Sequence, residues 1–193
     1  MDDSSPDTVL IARAREGDSD AFRAIVERYQ GVVASTVIGM LGPGPEADDV
    51  GQETFIRFFG AMKRFRGDSS LKTYLTRIAM NLALNELKRR KRSSSRWLRV
   101  DETQGTELGE LATADRPEQP DEALTRSERT RLVRAAIDRL DDKHRPVVVL
   151  RLIEGLSTRE TSQALDLPQG TVLSRLSRAL EKLKTDLEEW IPA

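Results

Sequence analysis

The run Ser157-Thr158-Arg159-Glu160-Thr161-Ser162-Gln163-Ala164-Leu165-Asp166-Leu167-Pro168-Gln169-Gly170-Thr171-Val172-Leu173-Ser174-Arg175-Leu176-Ser177-Arg178-Ala179 contains two helices and the turn between them. Ser157 and Glu160 have the Ser-x-x-Glu form of a capping box, in which each side chain satisfies the other residue's free amide, so a short helix should run to about Leu165. Asp166 to Gly170 then turns the chain into a longer helix, Thr171 to about Leu187. Val172, Leu176, Ala179, Leu180, Leu183 and Leu187 fall on one side of it. At about 100° per residue, Thr171, Ser174, Ser177, Arg178 and Glu181 face the other way, with Arg175 and Lys182 on the flank. This pattern fits a helix-turn-helix, whose second helix enters the DNA major groove. It also fits a plain helical hairpin with a solvated face.

Upstream, the same periodicity recurs. Val133, Ala136, Ile137 and Leu140 are spaced i, i+3, i+4, i+7. The run Pro146-Val147-Val148-Val149-Leu150 has strand propensity. It is expected to be helical, because proline suits a first helical position and a lone strand would have no partner. Near the amino terminus, Asp18 can cap a helix carrying Phe22, Ile25, Val26 and Tyr29. After the breakers Gly42-Pro43-Gly44-Pro45, a helix from about Glu46 carries Val50, Phe55, Phe58, Phe59 and Met62 as its apolar set. The loop Arg66-Gly67-Asp68-Ser69 precedes a helix with a Leu71, Tyr74, Leu75, Ile78, Leu82 stripe, ending in Lys88-Arg89-Arg90-Lys91-Arg92. From Ser93 to about Pro120 periodicity fails and Ser, Thr, Gly, Pro and acids dominate, the composition of a flexible linker. The expected fold is all-α: two small helical domains, 8–92 and 125–190, joined by an acidic linker, 93–124.

The net charge of −1 conceals strong segregation. Residues 1–60 carry five Lys or Arg against eleven Asp or Glu, whereas 61–100 carry twelve against two; 101–125 reverse again, with one against eight. A basic block in a neutral chain suggests a local polyanion site. A basic helix end can also be merely solvated, although Phe65 and Tyr74 nearby are the kind of aromatic faces that hold unstacked bases.

With no cysteine in 193 residues, a disulfide framework, a thiolate metal site and a thiol switch are excluded. No apolar run approaches the roughly 20 residues that span a bilayer, and Met1–Asp7 is unlike a signal peptide, so no membrane insertion and a cytoplasmic location are expected. Asp48, Asp49 and Glu53 could be read as a metal cluster of a hydrolase. The single histidine, His144, lies far from them in sequence and no nucleophile motif accompanies them, so neither enzyme activity, metal nor cofactor is expected.

Four stretches together resemble the extracytoplasmic-function sigma factors of the sigma-70 superfamily. Ala47-Asp48-Asp49-Val50-Gly51-Gln52-Glu53-Thr54-Phe55 is similar to A-x-D-V-x-Q-E-x-F. Phe65-Arg66-Gly67-Asp68-Ser69 with Tyr74-Leu75-Thr76-Arg77-Ile78-Ala79-Met80-Asn81 resembles F-R-G-x-S…W-L-x-R-I-A-x-N. Both are sigma region 2 motifs. Arg151-Leu152-Ile153-Glu154-Gly155-Leu156-Ser157 and Gly170–Ala179 resemble region 4. The match departs at Tyr74, where the family commonly has Trp, at Thr161-Ser162 in place of Ile-Ala, and at Leu173, often basic.

The resemblance implies a subunit that binds RNA polymerase core and directs it to promoters. Asp48, Asp49, Gln52, Glu53 and Phe55 would dock on the clamp helices of the largest subunit. Phe65, Arg66, Gly67, Asp68, Ser69, Lys72, Tyr74, Arg77, Asn81 and Asn85 would capture −10 promoter DNA, with Lys88, Arg89 and Arg90 on the adjacent backbone. Ser157, Thr171, Leu173, Ser174, Arg175, Ser177, Arg178 and Lys182 would contact the −35 element, Leu173 either touching a thymine methyl or capping the core. An anti-sigma factor is an implied partner. A stand-alone helix-turn-helix regulator is the alternative, which leaves the Asp48–Phe55 and Phe65–Asn81 motifs unexplained.

Overall fold

The computed structural model describes residues 6–100 and 126–188; residues 101–124 of the linker expected over 93–124 and the domain end expected at 190 lie outside them. Among the described residues there is no strand. A helix that the sequence reading did not anticipate, α1 (Asp7–Arg15), comes first, with its acid in the first turn and Arg13 and Arg15 in the last, as the helix dipole favours. In α2 (Ser19–Leu41), Asp18 is the N-cap and accepts from the amides of Asp20 and Ala21. Gly42, at φ +81°, ends the helix in a conformation other residues rarely adopt. Pro45 then opens α3 (Pro45–Ala61), where its missing N–H costs nothing.

A 3₁₀ turn (Met62–Arg64) leads to the loop before α4 (Leu71–Val100). The last helix of this half thus runs eight residues into the stretch read as linker, and those eight, 93–100, hold no glycine or proline to stop it. Helices α1 to α4 enclose Ile25, Val33, Val37, Met40, Phe58, Leu75 and Met80, all essentially inaccessible. Full burial of side chains of this size contributes about 1.5–3 kcal/mol each, enough to hold a small bundle together.

The carboxy-terminal half comprises α5 (Arg126–Arg139), α6 (Arg145–Val148), a π-helical turn (Val149–Ile153), α7 (Thr158–Leu165) and α8 (Gln169–Glu188). The run Pro146–Leu150 is helical, as expected. Its unbroken hydrophobicity has a physical cause: the segment is wedged between two cores. Val148 joins Ala136, Ile137, Leu140, Ala179 and Leu183 in one cluster, while Val149 and Leu150 join the amino-terminal cluster on the other side. Leu156 and Ala164 also belong to that larger cluster. The two halves therefore share one apolar seam, along which α7 and the π turn lie against α4 and α2.

Candidate nucleic-acid interface

The helix-turn-helix is built as its local chemistry requires. The Ser157 Oγ accepts from the Glu160 amide at 3.2 Å, and Glu160 Oε2 returns the bond to the Ser157 amide at 2.8 Å. The Ser157 hydroxyl, which donates to the same Oε2 at 2.6 Å, and the Ser157 amide together hold the Glu160 carboxyl below its ordinary range. Arg151, which was not among the expected site residues, donates to the carbonyl of Leu156 and so fixes the approach to the cap. Asp166 turns the chain in the left-handed region, φ +53°, tolerated by aspartate better than by most residues. Pro168 then offers its carbonyl to the amides of Thr171 and Val172, starting α8.

On α8 the inward side is Val172, Ala179 and Leu183, with Leu176 and Leu187 half-buried; Ser174, Ser177 and Arg178 are exposed on the opposite face and Thr171 is half-buried. Two leucines depart from the expected facing. Leu180, expected inside, is 44% exposed, and Leu173 is 54% exposed and does not cap the core. Both sit at the edge of the apolar stripe, where α5 and α6 do not reach over. Arg175 is half-buried, and Lys182 lies 3.1 Å from Asp141, so the two flank cations differ in freedom. Asp141, drawn by Lys182 and the Lys143 amide against the cost of its burial, sits at a pKa of about 2 and stays ionised.

The amino-terminal half presents a second polar surface. Arg77, Asn81, Asn85, Lys88 and Arg92 are exposed in steps of three and four along α4, a continuous stripe from the loop to the basic helix end. Tyr74 stands at its head, half-buried, with its ring 4.8 Å from Phe65, 6.1 Å from Phe58 and under the Arg77 guanidinium at 5.0 Å. It is thus both a packing residue and a support for the loop. Arg66, Gly67 and Asp68 are exposed, and Gly67 is at φ +79°. Not all of the basic block points outward. Arg89 is held by both oxygens of Glu86 at 2.7 and 2.8 Å, and Arg90 turns back to the Leu41 carbonyl and Glu46, each at 3.0 Å. Lys72 is directed at the carboxy-terminal half, its Nζ 2.6 Å from the Glu154 carbonyl.

On α3, Asp48, Asp49 and Gln52 are exposed, Glu53 is paired with Arg57 at 2.7 Å, and Phe55 packs on the core. Phe59, expected to pack inside, is instead 57% exposed with its edge against Phe22, and Ile56 is 65% exposed. Gln52, Ile56 and Phe59 lie at i, i+4 and i+7, a spacing that could have revealed this apolar extension of the acidic face. Among the described residues no group of three or more His, Cys, Asp or Glu is placed to hold a metal, and no helix is long and apolar enough to cross a membrane.

Family models for Sigma-70 region 2 and Sigma-70, region 4 match residues 25–93 and 136–185, the two halves that carry these surfaces. The chain is 35% identical over 194 residues to the ECF RNA polymerase sigma-E factor of Escherichia coli (strain K12), with 99% of each chain covered. The chain belongs to the sigma-70 family. The Escherichia coli relative carries the ECF group in its name. The RNA polymerase sigma-H factor of Pseudomonas aeruginosa is likewise 35% identical, over 183 residues and 94% of each chain. The solved structure of CnrH in complex with the cytosolic domain of CnrY superposes with a TM-score of 0.67 at 26% identity, covering 95% of this chain and 97% of that one. A sigma factor RpoE from Bartonella quintana, in complex with the anti-sigma factor NepR, shares the fold at a TM-score of 0.62 and 20% identity, over 86% and 96%.

Proposed function

We propose that this sigma factor opens promoters in the cytoplasm by capturing −10 bases on the amino-terminal half and reading the −35 element with α8. The observation that carries the reading is the exposed stripe Arg77, Asn81, Asn85, Lys88 and Arg92, which continues the Phe65–Lys72 loop along one face of α4. Amides suit base edges, cations suit the backbone, and the loop aromatics suit stacking. Extruding a base costs a few kcal/mol, so a surface that binds the flipped base favours the melted promoter without a nucleotide-driven motor. On α8, Ser174, Ser177 and Arg178 would meet base edges while Thr171, Arg175 and Lys182 would meet phosphates. The exposed set Asp48, Asp49, Gln52, Ile56 and Phe59 offers polymerase core a charged rim around an apolar centre. An anti-sigma factor is a fitting partner, since the Bartonella RpoE was solved with the anti-sigma factor NepR bound and CnrH with the cytosolic domain of CnrY.

Permanganate footprinting of the holoenzyme with Asn81→Ala tests the reading. Loss of −10 thymine reactivity with core binding intact is the expected result; unchanged reactivity removes the role from this stripe.

A further inference from the structure

The two flanks of the outward face of α8 differ in chemistry. At about 100° per residue, Leu173 lies about 100° to one side of buried Val172 and Arg178 about 120° to the other, with exposed Ser174 and Ser177 between them. Arg175 and Lys182 fall on the Arg178 side. The Leu173 side continues through Ser177 to Leu180, in steps of four and three, and carries no charge over that length. Leu173 and Leu180 are 54% and 44% exposed, so nothing among the described residues covers this neutral flank. Gly170, three residues before Leu173 on the same flank, is exposed, and a Cβ built there would meet nothing within 4 Å. Helical side chains lean toward the amino end of their helix, so Leu173 leans over this clear space.

A major groove about 12 Å wide closes on a helix about 10–12 Å across, so both flanks of an inserted α8 meet the groove. The basic flank has phosphates to pair with. At Leu173 the other flank has no donor for a phosphate, and a leucine set against one would strip water from an anion without replacing its hydrogen bonds. Base edges offer it one apolar group in that groove, the C5-methyl of thymine. Leu173 is the fifth residue of α8, within the amino-terminal turns that a recognition helix brings to base edges. Leu180 lies about two turns further along, beyond that reading end.

We infer that Leu173 is a specificity-determining residue of the −35 interaction and packs on the C5-methyl of one thymine beside the bases met by Ser174 and Ser177. The inference rests on the −35 reading above and adds to it the base that this flank selects. Its test uses holoenzyme on a randomised −35 library, followed by the preferred site with each thymine replaced in turn by deoxyuridine, which lacks only that methyl. Wild type should lose about fourfold in affinity at one of these positions, the factor for burial of one methyl-sized group. Leu173→Ala should bind the thymine and uracil forms of that site equally, and its library should relax at the same position. Leu173→Lys should likewise ignore the methyl and should steepen the salt slope by about one unit. A preferred site without thymine, or a uracil penalty that persists in Leu173→Ala, overturns the inference. So does a loss of core affinity in Leu173→Ala without DNA present, since the leucine would then meet protein. Arg178→Ala keeps the two readings apart. If it re-orders the library while wild type ignores deoxyuridine, only the leucine contact fails; if neither Arg178→Ala nor Leu173→Ala alters the preference, the −35 reading fails with it.

Discussion

The guanidinium of Arg15 holds the carbonyl oxygen of Phe65, and its Nε reaches the Met62 carbonyl at 3.0 Å, so α1 clamps the entrance to the loop fifty residues away. Phe65 in turn supports Tyr74 and the head of the α4 stripe. Arg15→Ala should weaken −10 single-strand binding and lower stability by about 1–3 kcal/mol, the usual cost of losing charge-assisted bonds. Core binding should be unchanged. Arg15→Lys should fail to restore the loop, because one ammonium cannot span both carbonyls. Fluorescence anisotropy with a −10 oligonucleotide and core complex is the measurement; full rescue by Lys would reduce Arg15 to a surface charge.

The Thr161 side chain is completely buried in α7, and its hydroxyl has no hydrogen-bond partner. Thr161→Val keeps the shape and removes the unpaired oxygen, so the midpoint of urea unfolding should rise, corresponding to about 1–2 kcal/mol. The opposite sign would mean that an ordered water satisfies the hydroxyl.

That threonine shows what the sequence could and could not disclose. The departure from an apolar residue at position 161 was visible, and so was a hydroxyl placed among packed side chains; whether a partner awaited it was not. Local features read well because their causes are local: the Ser157–Glu160 box, the Asp18 cap, the breakers before Pro45 and the serine-arginine face of α8. Leu180 and Phe59 were misplaced because periodicity assigns a face but not where neighbouring helices stop covering it. The seam was illegible, since Ser35 and Glu154 are 119 residues apart and nothing in either neighbourhood names the other. Gly39, against which Val149 packs, is mid-helix and costly there, but so is Gly31 in the same helix, which meets nothing, so glycine alone did not mark the close approach.

Burial raises the pKa of the Glu154 carboxyl, a rise partly offset by the Ser35 hydroxyl, by the Lys72 ammonium and by Thr36. These groups face it from α2 and α4. A carboxyl whose folded value is raised contributes stability that is fully present below its ordinary value of 4.5 and is lost as pH rises through the folded value. Glu154→Gln should therefore gain on the wild type as pH rises, with the smallest gain in acid and the largest at neutral pH. Urea unfolding of both proteins across that window decides it; a gain that shrinks toward neutrality would reverse the assignment.

Ile56 is the most exposed large apolar residue on the proposed core-docking face. Ile56→Ser removes no internal packing, so stability should stay within about 0.5 kcal/mol. If this side chain is the apolar centre of the interface, core affinity should fall by about 1–2 kcal/mol. Titration of labelled core with wild type and variant gives the answer, and equal affinities would return the docking role to Asp48, Asp49 and Gln52 alone.

The recognition helix separates reading from holding, and its geometry now distinguishes three cations. Arg178 is exposed opposite Val172, Ala179 and Leu183, where it can reach a base edge; a bidentate contact there discriminates by about 1–3 kcal/mol. Its replacement by Ala should re-order a randomised −35 library. Arg175 is half-buried on the flank and suits a phosphate, so Arg175→Ala should weaken every site alike and lower the salt slope by about one unit. Lys182 occupies the same flank but is already 3.1 Å from the ionised Asp141. Part of its charge is neutralised before DNA arrives, and Lys182→Ala should change the slope by less than Arg175→Ala does. Asp141→Asn releases that lysine and should steepen the slope. The library would be bound by holoenzyme at several salt concentrations. Re-ordering by Arg175→Ala together with uniform loss from Arg178→Ala would show that the helix meets DNA rotated from this facing. A Lys182→Ala slope change equal to that of Arg175→Ala would show that Asp141 does not compete for it.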